Sequence, residues 1–82
     1  MEIQRHPSSI LNLAKEIIKV VDAYWTRRIT EKELNEYMTY WAHHEAEKLF
    51  RANEWNPTIK QRVGSKRLKV MEKMLSGYQI KM

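Results

Sequence analysis

The string His43-His44-Glu45-Ala46-Glu47 places imidazoles beside carboxylates, the side chains that bind metal ions and move protons. On a helix, His43 and Glu47 stand one turn apart, close enough to share an ion with a third ligand from elsewhere. A zinc-protease helix needs His-Glu-x-x-His, but the fourth residue after His44 is Lys48, a cation. With no Cys in the chain to back the site, the string reads as a solvated helix face whose glutamates form local ion pairs. No metal and no cofactor is expected.

Other catalytic chemistry finds little support. It needs a nucleophile with its base, or two carboxyl groups whose pKa values are driven apart. Ser8, Ser9, Ser65 and Ser76 fall at the ends of expected helices, where capping explains them. Gly64 and Gly77 are the only glycines, so there is no loop to cradle a phosphate. The chain is read as non-enzymatic, without a small-molecule substrate.

The charge points to a surface instead. Up to Asn56 there are eight basic and nine acidic side chains; beyond it, seven basic residues face the single Glu72. The whole net charge of +5 therefore belongs to the last third of the chain. Arg62, Lys66, Lys69 and Lys73 fall within about 60° on a helical wheel, with Arg67 close by. Such a face attracts the nucleic-acid backbone or an acidic protein surface. Base reading is not expected: Lys60 stands where a helix-turn-helix wants a small residue, so contacts to phosphates should dominate.

Aromatic residues offer a second contact chemistry. Trp25 and Trp41 are expected in the core, whereas Tyr40 and Trp55 are less well placed for it and are candidate interface aromatics. Asp22, just before Tyr24 and Trp25, reads as the partner of a cation on the second or third helix.

The elements that carry these residues follow from periodicity. Ile10, Leu13, Ala14, Ile17, Val21, Tyr24 and Trp25 make one apolar stripe, giving a helix over 9–27 started by Ser8 or Ser9. Thr30-Glu31-Lys32-Glu33 is a capping box, with Ile29 and Leu34 as its hydrophobic staple, and opens a helix over 31–53. Asn56-Pro57 opens a third over 57–76 that is kinked or broken at Gly64. The sum is an all-α bundle of three to four helices over 9–76, with a flexible arm at 1–8 and a tail at 77–82. Eighty-two residues suit one domain, which buries roughly 60% of its unfolded surface. The start lacks the apolar core of a signal peptide, and no run of apolar residues is long enough to span a bilayer. A cytoplasmic protein without membrane contact is expected. Its apolar arc is large enough for a homodimer to cover.

Leu13-Ala14, Val21-Asp22-Ala23-Tyr24-Trp25, Ile29-Thr30-Glu31-Lys32-Glu33-Leu34, Ile59-Lys60-Gln61 and Gly64-Ser65-Lys66-Arg67-Leu68 together carry a resemblance. Over about residues 10–75 the chain resembles a family of short uncharacterised helical proteins of Gram-positive bacteria and their mobile elements. Its most specific parts are the Asp22-to-Trp25 string and the Gly64-to-Leu68 string, where that family often has Lys in place of Ser65. The resemblance implies a fold and no activity. The functional expectation is a small regulatory protein whose basic last helix contacts nucleic acid or a nucleoprotein. The alternative is an adaptor or inhibitor, mobile-element encoded, that occludes a larger protein.

Overall fold

In the computed structural model, which describes residues 2–52 and 54–75, Ser9 turns the chain into its first helix. Its backbone is extended (φ −147°, ψ 166°), and its hydroxyl accepts the Asn12 amide at 3.1 Å, satisfying one free donor of the helix start. Helix α1 (Ile10–Trp25) ends in a Schellman turn: the Arg27 amide donates to the Tyr24 carbonyl and the Arg28 amide to the Ala23 carbonyl. The position that usually takes glycine is held by Arg27 at φ 62°, a left-handed conformation that costs an L-residue about 1–2 kcal/mol. Helix α2 (Glu31–His44) starts with the expected capping box, in which Thr30 accepts the Glu33 amide and Glu33 accepts the Thr30 amide, both at 3.1 Å.

The second helix does not run to residue 53. It stops at His44 because Glu45 leaves helical geometry (φ −123°, ψ 31°) and turns its carboxylate inward. A single-turn helix, α3 (Ala46–Leu49), follows, then a minimal hairpin of β1 (Phe50–Arg51) and β2 (Glu54–Trp55). The pairing is antiparallel, Phe50 opposite Trp55 and Arg51 opposite Glu54, with the two rings 5.0 Å apart. The fold is thus four helices with a two-stranded ribbon, rather than helices alone.

Helix α4 (Pro57–Met74) begins with Asn56 accepting the Thr58 amide at 2.9 Å and Pro57 in the first turn. It is broken at Gly64, whose φ of 82° and ψ of 164° lie far outside the helical region. Ser76 and the tail 77–82 lie outside the described residues.

Helix α1 packs chiefly against α4, and the core joins them through Leu13, Ile17, Val20, Val21, Ile59, Val63 and Met71, closed by Leu34, Met38 and Trp41 of α2. Asn35 ties α2 to the end of α4 by donating to the Met74 carbonyl at 2.8 Å. Trp25 departs from expectation: it is 45% exposed, while Trp41 is wholly buried. At 100° per residue Trp25 lines up with Leu11 and Ile18, at the edge of the stripe rather than at its centre. No helix among the described residues is long and apolar enough to cross a membrane.

Candidate functional site

The break at Gly64 divides the expected basic face. Arg62 lies before it, exposed; Lys66, Lys69 and Lys73 lie after it at i, i+3 and i+7, one exposed side of a straight helical segment. Arg67 turns the other way. Its Nε donates to Asp22 Oδ1 at 2.9 Å and its Nη2 to Oδ2 at 3.2 Å, a bidentate pair, while Nη1 donates to the Val63 carbonyl at 3.2 Å. Asp22 therefore has a cation of the last helix as the partner that its position suggested, and Arg67 serves the α1–α4 contact. Lys73 Nζ stands 3.5 Å from Glu31 Oε1 with both side chains largely in water, so the pair adds little. Arg62, Lys66 and Lys69 have no carboxylate within ion-pair distance among the described residues. Together with Lys60, about 160° away from Arg62 on the helical wheel, these three carry the unmatched positive charge of α4.

A second cluster forms where residues 2–8, expected as an arm, lie along α1 and α2. The Gln4 amide donates to Glu16 Oε1 at 2.7 Å, Trp41 Nε1 donates to the Arg5 carbonyl at 3.1 Å, and Pro7 is fully buried. The Arg5 guanidinium lies 5.0 Å from the Tyr37 ring centre and 5.2 Å from that of Tyr40. His6 Nδ1 faces Glu45 Oε2 at 3.4 Å, and its Nε2 meets the Tyr40 hydroxyl. Both ring nitrogens of His6 thus have a polar partner, a carboxylate at one and a hydroxyl at the other. Tyr40 is half-buried here, its ring 4.4 Å from that of His44. Trp55 is half-buried against Phe50.

The interruption at Glu45 also changes the His43–Glu47 pair, since no continuous helix places them one turn apart. No group of three His, Cys, Asp or Glu side chains among the described residues is placed to hold a metal ion. A family model matches residues 4–76 of the chain. The chain belongs to CLB_0814_fam, a family of conserved hypothetical proteins. That span takes in the docked leading segment, the Asp22–Arg67 pair and the cations of α4. No curated protein and no solved structure matches the chain.

Within the CLB_0814_fam span, Glu45 is an acid whose titration the fold changes. The Lys48 ammonium, donating at 2.9 Å, holds the Glu45 carboxyl below the usual carboxylate range. Burial opposes this, and His6 adds a smaller downward pull. A carboxyl with a lowered folded-state pKa contributes stability above its unfolded value of about 4.3, lost as the pH falls through the folded value. Glu45→Gln should therefore melt below the wild type at pH 7, with the gap closing as melting is followed down to pH 3. A gap independent of pH would contradict this role.

Proposed function

We propose that this protein is a non-enzymatic regulatory module that binds the phosphate backbone of nucleic acid through Arg62, Lys66 and Lys69, with Lys73 at the margin. The observation that carries the reading is the exposure of Lys66 and Lys69 one turn apart with no carboxylate within ion-pair distance among the described residues. Like charges held together raise the energy of the folded chain, and a polyanion that releases its counterions there lowers it. A bacterial cytoplasm, Gram-positive by the resemblance, suits such a partner.

The test is a fluorescence-anisotropy titration of a labelled oligonucleotide with the wild type and with Lys66→Glu/Lys69→Glu. Each reversal removes a phosphate contact and adds a repulsion, so the double variant should bind about two orders of magnitude more weakly at low salt. Equal affinity would overturn the reading. On a duplex, Arg67→Met, removing a cation already engaged by Asp22, should cost far less binding.

A second reading, an adaptor for an acidic protein surface, is favoured by the groove between α1 and α4. Leu11, which is 46% exposed, lines it with Ala14 and Ile18, and Lys15 and Arg62 are the cations of its lining. Under that reading Leu11→Lys would abolish partner binding, and oligonucleotides would not be retained at all.

A further inference from the structure

We propose that Trp25 is a stacking platform for an unpaired base, so that the polyanion this protein takes is a single strand rather than a duplex. This rests on the phosphate-binding reading above and adds to it a partner form and a contact residue. Trp25 is nearly half exposed at the end of α1, in a chain whose other helical tryptophan, Trp41, is wholly buried. The exposed ring is held in place. The Arg67 guanidinium lies 5.6 Å from the Trp25 ring centre, and that guanidinium is itself fixed by Asp22 and the Val63 carbonyl. One side of the indole is thus backed by an immobilised cation, an arrangement in which Arg stacks on the ring and a base can stack beyond it.

Beside this platform the surface is ready for phosphate. A shallow depression is lined by Lys19, Asp22, Ala23, Thr26 and Arg28. Asp22 belongs to both features, because the carboxylate that lines the depression is the one that clamps Arg67 against the ring. With the Asp22 charge matched by Arg67, and Lys19 reaching Glu16 at 2.8 Å, Arg28 supplies the unmatched charge there. The unit formed is a flat apolar ring with a cation next to it, the pattern that takes one nucleotide of an unpaired strand. A duplex keeps its base faces inside its own stack and offers none to Trp25.

The experiment compares a labelled oligothymidine with a duplex of the same length, binding to wild type, Trp25→Ala, Trp25→Phe and Lys66→Glu/Lys69→Glu. The wild type should prefer the single strand. Trp25→Ala should weaken single-strand binding roughly 5- to 150-fold, the range for losing one stacked base, and leave duplex binding unchanged. Trp25→Phe should retain most of the affinity. In Trp55→Phe, where Trp25 is the one exposed indole among the described residues, the unlabelled single strand should quench tryptophan emission; this reads the contact even if Trp25→Ala fails to fold. Unchanged single-strand affinity in Trp25→Ala, or no quenching, overturns the stacking proposal. If the lysine reversal abolishes binding at the same time, phosphate binding stands without it. If neither change matters, both fall.

Discussion

Trp41→Ala should lower stability by about 3–5 kcal/mol, the largest loss expected from any single substitution here. Trp41 is wholly buried, stacks on Tyr37 at a ring-centre distance of 5.8 Å, and donates its indole N–H to the Arg5 carbonyl. Truncation opens a cavity the size of an indole and leaves that carbonyl without its donor. It also frees the leading segment, whose Arg5 lies over the Tyr37 and Tyr40 rings. Against a total of about 5–15 kcal/mol for a domain, this brings the fold close to unfolding. Trp41→Phe keeps most of the buried ring and loses the donor, so its smaller loss isolates the hold on residues 2–8. Urea denaturation followed by far-UV circular dichroism measures both. A loss below about 1 kcal/mol for Trp41→Ala would place the indole outside the packed core.

Gly64→Ala should also destabilise, by about 1–3 kcal/mol. In a continuous helix the same change would stabilise by about 1 kcal/mol, so the sign of the effect decides between the two geometries. Nothing lies within 4 Å of where the new methyl group would sit, so crowding plays no part. The whole cost comes from holding an alanine at φ 82° and ψ 164°, a region that belongs to glycine. If the variant relieved the strain by straightening α4, residues 65–74 would rotate relative to 57–63. Arg67 would then swing away from Asp22, and the lysines would change direction relative to Arg62. A raised melting temperature for Gly64→Ala would show that the break is absent.

The parts of the fold written in local chemistry were legible from the chain alone. Thr30 and Glu33 satisfy each other's amides whatever lies around them, and Ser9 and Asn56 do the same for their helices. Asp22 and Arg67 were recoverable in part, because a charge at the end of an apolar stripe needs a partner and α4 is rich in cations. The end of α2 was not. No glycine or proline marks it, and what draws Glu45 out of the helix is its contact with Lys48 and with His6, 39 positions away. The lie of residues 2–8 was hidden for the same reason: their ties to Glu16, Tyr40 and Trp41 are long-range and leave no periodic trace. Trp25 was misread because a helical wheel gives a residue's direction and not the width of the neighbour that covers it. The seven-residue spacing of Leu11, Ile18 and Trp25 was the available sign of a second line on α1, exposed at Leu11 and Trp25 and half-buried at Ile18.

The salt dependence of oligonucleotide binding tests most directly whether the cations of α4 meet phosphate. Neutralising one phosphate of a single strand gives a slope of about 0.7 in a plot of log affinity against log salt. Contacts from Arg62, Lys66 and Lys69 therefore contribute about −2 to the slope of a linear fall, a contribution reduced to about −0.7 in Lys66→Glu/Lys69→Glu. Affinity that stays level as salt rises, or a slope that the lysine reversals leave unchanged, would contradict that contact.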